Sequence, residues 1–299
     1  MNSNTISQTL PQSTTSHRWR SYAELTKIRI STMVLFTFCV AGVMAAGVAV
    51  PLATLFWATV GMLLIASSGN AMNMYLERYT DYLMPRTANR PLPAQKLSAT
   101  EVVLFAAICF GTSMGVFLTL VNWQTAVCGL LTWILYVCVY TPLKTRTMFN
   151  TEVGALPGAM PVLMGSLATT GTVTAGTWFF FLVLLIWQFP HFIAIAWLYR
   201  KQYAQAGLKM VTTTDPSGRS SGTYAMLGAG LLLLSSLLPL LDGPSMMYGT
   251  LALVLGIYQL DATWRFHCAL NDVTAKRLLI ASIIYLPLAL GLIAVQTAL

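Results

Sequence analysis

The chain has 299 residues, of which 56% are hydrophobic and only 9% charged. A soluble domain of this length carries about a quarter charged residues, so the composition excludes an ordinary water-soluble enzyme and points to a chain whose solvent is mostly lipid. The formal net charge of +8 does not argue for a nucleic-acid partner, because the cations fall at the ends of apolar runs, where membrane topology accounts for them.

Residues 1–22 are rich in Ser, Thr, Gln and Asn and are expected to form a disordered cytoplasmic tail. A single transmembrane domain is expected over 23–299. No charge occurs between Arg29 and Glu77, and a turn at Gly47–Pro51 divides that run into spans near 28–48 and 52–76. The run from Val102 to Leu143 divides at Val121–Gln124 into 100–120 and 124–142. The run from Val153 to Tyr199 divides at Thr169–Gly176 into 153–170 and 176–199. Between Ser220 and Leu260 the only charge is Asp242, whose Asp-Gly-Pro turn separates 222–241 from 245–262. A last run gives 278–297. Nine membrane-spanning helices are therefore expected, each near the roughly 20 apolar residues that a bilayer requires.

All 17 cations lie in the N-terminal segment or in loops 77–99, 143–152, 200–221 and 261–277. The positive-inside rule then places the N-terminus and these loops in the cytoplasm and the C-terminus in the periplasm, with a bacterial inner membrane as the expected location. Cys39, Cys109, Cys128 and Cys138 lie in apolar spans and Cys268 beside the last loop, a pattern of free thiols without zinc or disulfide spacing.

Three polar constellations exceed what topology needs. Asn70, Asn73, Glu77 and Asp81 are spaced by three, four and four residues, which keeps them near one helical face. Mg²⁺ takes oxygen ligands and is commonly shared between one or two carboxylates and substrate phosphates; the other reading is a helix end whose acids pair with Arg78 or Arg86. Arg86 and Arg90 follow in a polar loop stiffened by Pro91 and Pro93, and arginine offers planar, multi-donor recognition of phosphate. Lys144 and Arg146, followed by Asn150 and Thr151, are either topological anchors or a second cationic wall. Gln188, Pro190 and His191 close the sixth span, ahead of Arg200, Lys201, Gln202 and Tyr203. His191 reads as a satisfied interior residue, a haem-iron ligand or a proton carrier.

The stretch from Asn70 through Asp81 to Arg90-Pro91-Leu92 resembles the first aspartate-rich motif of the UbiA superfamily of prenyltransferases, and more narrowly that of its haem O synthase branch. Tyr140-Thr-Pro-Leu-Lys144, Asn150-Thr151 with Gly154 to Pro161, Trp187-Gln188-Phe-Pro190-His191-Phe192, Ala206-Gly207 and Ser282 to Tyr285 match other signatures of that branch. The resemblance covers roughly residue 22 to the end. It implies an all-α integral membrane fold of nine transmembrane helices around a central cavity. It also implies an Mg²⁺-dependent transfer of farnesyl from farnesyl diphosphate to a vinyl group of haem B, giving haem O and diphosphate for haem-copper oxidase assembly. Haem A synthase or oxidase assembly factors would then be further partners.

Carried over residue by residue, Asn73, Glu77 and Asp81 match the metal–diphosphate motif, with Lys144 beside them as catalytic. Asn70, Arg86, Arg90, Arg146, Asn150, Arg200, Tyr203, Gln188 and His191 match substrate-binding positions. The chain departs from the family at Lys201-Gln202-Tyr203, where an aspartate is usual before the tyrosine, and Asp215 is a candidate substitute; Met148-Phe149 stands where Pro-Trp is common. Two other readings remain open: a UbiA-type enzyme acting on a quinone precursor or chlorin, and a non-catalytic haem-handling or transport protein.

Overall fold

The computed structural model describes residues 15–298 apart from Pro216. The chain opens with α1 (Thr15–Leu25) and α2 (Ile28–Ala46), followed by α3 (Leu52–Leu76) and the short α4 (Arg78–Tyr82). Next come α5 (Ala99–Val116) and α6 (Trp123–Ile134), which runs through a π-helical stretch, Leu135–Tyr140, into α7 (Thr141–Leu143). The second half comprises α8 (Asn150–Thr170), α9 (Ala175–Leu198), the short α10 (Arg200–Gln205) and α11 (Val211–Thr214), α12 (Arg219–Leu237), α13 (Met246–Cys268) and α14 (Asp272–Ala298).

Among the described residues eight helices are long and apolar enough to cross a membrane, so the protein is a multi-pass integral membrane protein. The expectation of nine spans is corrected on this criterion. The ninth, 245–262, is present as α13, long enough at 23 residues, but Gln259, Asp261, Arg265 and His267 dilute its apolar character. It packs between α12 and α14.

The expected tail is also corrected in part. Residues 15–22 belong to α1, which sets Leu25 in the core and pairs Arg18 with Glu101 on α5. Residues 1–14 lie outside the described residues.

Local chemistry explains where the helices begin. Ser98 and Glu101 form a reciprocal capping box at the start of α5, with Glu101 N–H donating to Ser98 Oγ at 3.2 Å and Ser98 N–H to Glu101 Oε2 at 2.8 Å. Asn122 caps α6, Thr174 caps α9 and Ser245 caps α13, each through its side-chain oxygen. These caps lie on or beside the turns that divide the apolar runs.

Helix α2 packs closely against α8 because glycines remove the side chains between them. A Cβ at Gly165 would sit 2.1 Å from Phe38 O, and Thr169 Oγ1 donates to Gly42 O at 3.0 Å across the same contact. Helix α8 also packs on α9, which in turn meets α12 and α14. The largest core, around Phe38, Met62, Phe117, Met164 and Phe180, lies toward the apolar ends of these helices. Beside it a cavity remains among the helices.

Candidate active site

The cavity, about 410 Å³, lies among α2, α3, the π-helical stretch after α6, α8 and α9. Its lower wall is apolar, with Val34, Met62, Ile65, Trp133 and Pro161; its upper end carries the charge. Asn73, Glu77 and Asp81 stand on one side of that end, and Arg86, Arg90, Lys144 and Tyr203 complete it. The row is not one unbroken helix. Glu77 adopts φ −89°, ψ 2° between α3 and α4, yet Asp81 N–H still donates to Glu77 O at 2.8 Å, so the three side chains stay on one face.

Each acid has a cationic partner from a different part of the chain. Lys144 Nζ donates to Glu77 Oε1 at 2.6 Å, and Arg90 Nη1 donates to Asp81 Oδ2 at 2.6 Å. Lys27 Nζ donates to Asn73 Oδ1 at 2.7 Å, while Asn73 Nδ2 donates to Thr141 Oγ1 at 3.1 Å. Asn70 is held by Thr26 O and Ser31 Oγ and accepts from the Tyr136 hydroxyl at 3.4 Å. Lys144 lies over the Tyr140 ring and Arg86 over the Tyr199 ring, at 4.6 and 4.8 Å from the centroids. Gly154 leaves room for Tyr140: a Cβ there would lie 2.4 Å from its ring.

The electrostatics follow from burial and neighbours. Burial opposes charge at Glu77, but Lys144 and Lys27 outweigh it and hold the carboxyl below its usual range. At Asp81 burial is the larger effect and raises the carboxyl despite the Arg90 guanidinium. Burial works against the Lys144 ammonium, yet Glu77 and two tyrosines raise it above the usual lysine range. Lys27 is brought down to about 7, first by burial and then by the nearby Arg90 charge.

Among the described residues no cluster of three or more His, Cys, Asp or Glu side chains could hold a metal by itself. The two carboxylates and the Asn73 amide are suited instead to a cation shared with substrate oxygens. Asp81 Oδ1 is buried without a hydrogen-bond partner, which leaves one carboxylate oxygen free for such a role.

Four expected site residues do not line the cavity. Arg146 is exposed. Arg200 donates to Trp197 O and pairs with Asp272 at 2.7 Å. Asn150 is buried and ties two loops together, donating to Thr147 O and Lys209 O. His191 stands on the neighbouring face of α9, its Nδ1 2.8 Å from Ser282 Oγ. Gln188 does line the cavity and donates to Ala155 O at 2.8 Å, occupying the space that a side chain at Gly158 would fill. Asp215 does not substitute for the acid missing at Gln202: its carboxylate accepts from Ser217 and Ser220 at the start of α12. Gln202 is absent from the cavity wall.

Lys27 is the lining cation that sequence reasoning missed. It precedes the first span beside Arg29 and is indistinguishable in sequence from a topological anchor. Its backbone is left-handed, φ 48°, at the join of α1 and α2, which sequence does not signal for a lysine.

The UbiA prenyltransferase family model matches residues 34–295. The chain belongs to the UbiA prenyltransferase family. It is 40% identical over 286 residues to a protoheme IX farnesyltransferase of Rhodopirellula baltica, covering 92% of this chain and 99% of that protein. A protoheme IX farnesyltransferase of Solibacter usitatus is 38% identical, over 91% of this chain and 97% of the relative. Among solved structures, a digeranylgeranylglyceryl phosphate synthase superposes with TM-score 0.80 at 16% identity, covering 94% of this chain and 99% of that one. A UbiA homologue from Archaeoglobus fulgidus bound to DMAPP and Mg²⁺ has TM-score 0.67 at 15% identity, over 92% and 99% of the two chains. These structural neighbours establish the fold.

Proposed function

We propose that this membrane enzyme transfers farnesyl from farnesyl diphosphate to a vinyl group of haem B, giving haem O. The observation that carries the reading is the gathering of Glu77 and Asp81 with Lys27, Arg86, Arg90 and Lys144 at the charged end of an apolar chamber, where Lys144 pairs with Glu77 and Arg90 with Asp81. The relatives' name supplies the acceptor. From Asn73 down to Met62 the helix rises about 16 Å, a depth suited to an extended isoprenoid chain.

The four cations bind the diphosphate and stabilise the charge that grows on it as the C1–O bond breaks. A bound Mg²⁺, held by Asp81, Glu77 and Asn73, supplies further Lewis-acid neutralisation of the leaving group. Tyr136 and Tyr140 present aromatic faces beside the site, where a developing allylic cation is favoured. The apolar wall of Val34, Ile65 and Trp133 keeps water from capturing that cation. The vinyl π pair then forms the new C–C bond, and water adds to the resulting haem-side cation with loss of a proton.

The cation-rich ends face the cytoplasm of a bacterial inner membrane, so farnesyl diphosphate arrives from that side and haem from the bilayer. The direct test incubates the reconstituted protein with haem B, farnesyl diphosphate and Mg²⁺ and identifies haem O by mass. Prenylation of an aromatic acid with no haem product would replace the acceptor; no transfer to any acceptor would remove the enzymatic reading.

A further inference from the structure

The face of α3 that carries Asn73 continues along the apolar chamber. Asn73, Gly69, Ala66 and Met62 follow one another at intervals of four, three and four residues, so they share that face, and all four line the cavity. Gly69 and Ala66 leave room beside the wall. Met62, 2% exposed, is the first long side chain after them and the deepest lining residue of α3. The deepest lining residues of α2, α6, α8 and α9 are Val34, Thr132, Pro161 and Gln188, which complete the floor.

Beneath the floor the protein is filled. One turn deeper on α6, a Cβ at Gly129 would meet Met164 Cε at 3.1 Å, Phe117 Cε2 at 3.2 Å and Ile65 Cδ1 at 3.3 Å, and both Phe117 and Met164 are fully buried. The Phe117 ring also comes within 2.6 Å of a Cβ at Gly61, next to Met62. Polar groups around the chamber are engaged by protein partners. Thr132 Oγ1 donates to Cys128 O at 2.7 Å, Gln188 Nε2 to Ala155 O at 2.8 Å and Trp133 Nε1 to Ser68 Oγ at 3.0 Å. The chamber therefore presents a largely apolar surface with a closed lower end.

Depth converts into chain length. An extended peptide advances about 3.3–3.6 Å for every three backbone bonds, so an isoprene unit of four bonds advances about 4.7 Å. Three units then need about 14 Å and four units about 19 Å. By helical rise Ala66 lies about 10 Å from Asn73 and Met62 about 16 Å. Two units fit above Ala66 and three above Met62, whose side chain stands where a fourth would extend. We propose that Met62 sets the length of the prenyl chain by closing the chamber after three isoprene units. Ala66, one turn nearer the charged end, is the position where a larger side chain would close it after two. The proposal rests on a prenyl diphosphate binding with its head group at Glu77 and Asp81, and it is independent of the acceptor.

The test measures binding, so it does not depend on turnover. Thiolo analogues of geranyl, farnesyl and geranylgeranyl diphosphate are titrated with Mg²⁺ into the full-length protein in phosphatidylethanolamine–phosphatidylglycerol nanodiscs and followed by calorimetry. Wild type is expected to bind the farnesyl analogue about tenfold or more tighter than the geranylgeranyl analogue. Met62→Ala should bring these two within about threefold of each other, and Ala66→Phe should favour the geranyl analogue over the farnesyl one by about tenfold. Both variants should still bind inorganic diphosphate with Mg²⁺, which shows that they are folded. The milder Met62→Val and Ala66→Leu should move the same ratios in the same directions. Equal binding of the farnesyl and geranylgeranyl analogues by wild type overturns the proposal, as does an unchanged ratio in Met62→Ala or Met62→Val. A wild type that binds none of the analogues overturns it together with the prenyl-transfer reading. Length-selective binding that shifts as expected, in a protein that forms no haem O, supports the role of Met62 and overturns the acceptor assignment alone.

Discussion

At the scale of single residues the site is a set of carboxylates already engaged by cations. Asp81 is 1% exposed and its Arg90 partner 24% exposed, so water screens this pair weakly. On the proposed function a metal and a diphosphate would favour each other: the diphosphate would draw Arg90 and Lys144 toward itself and free the carboxylates of Asp81 and Glu77 for the metal. Calorimetry should show weak Mg²⁺ binding alone and much tighter binding with inorganic diphosphate. Arg90→Gln should tighten Mg²⁺ binding alone and weaken diphosphate binding, each about tenfold, or roughly 1.4 kcal/mol; Mg²⁺ affinity unchanged by this substitution would refute the exchange. Asp81→Asn should insert normally yet lose about a hundredfold or more in turnover, the usual cost of removing one transition-state contact. Lys27→Met should weaken farnesyl diphosphate binding by about tenfold or more, since charge-assisted hydrogen bonds contribute about 1.5–3 kcal/mol; unchanged binding would return Lys27 to a topological role.

The row Asn73-Glu77-Asp81 was legible because helical spacing alone puts such residues on one face. Lys27, Arg146 and Arg200 were not sortable that way. All three are cations at helix ends, and only the packing of distant elements brings Lys27 inward while leaving Arg146 exposed and pairing Arg200 with Asp272.

At the scale of elements, close approach of α2 and α8 frames the cavity. Gly165→Val would drive a side chain into Phe38 O and force these helices apart. Overpacking of this kind costs about 1–3 kcal/mol. The expected result is a lowered thermal midpoint in detergent and reduced activity together; an unchanged midpoint would show that the contact gives freely. The turns between spans were readable from Gly, Pro, Asn and Ser, and the caps on α5, α6, α9 and α13 show why: each side chain satisfies an N–H that lipid cannot. Helix α1 escaped notice because its polar composition carries no apolar period, and its order comes from partners on α5 and the loop before it, through Arg18–Glu101 and Glu24–Lys96.

At the scale of the whole molecule, α8 and α9 join a half built from α2, α3, α5 and α6 to a half built from α12, α13 and α14. The charge asymmetry gives a topological prediction. Alkaline phosphatase fused after residue 299 should be active, and the same reporter fused in loop 77–99 inactive; the reverse pattern would invert the proposed orientation. Helix α13 belongs to this prediction, because an even number of crossings would return the C-terminus to the cytoplasm.

Hydropathy and the placement of cations were sufficient to decide that this chain lives in a bilayer and where its long helices run, and helical spacing put Asn73, Glu77 and Asp81 on one face. Those properties are periodic or local, so they are written along the chain. The tertiary structure alone decided which cations enter the cavity, that Lys144 meets Glu77 and Arg90 meets Asp81, and that Ser282 fixes the His191 ring. The Lys144 and Ser282 contacts join residues far apart in sequence, and their formation depends on helix packing that no local pattern encodes.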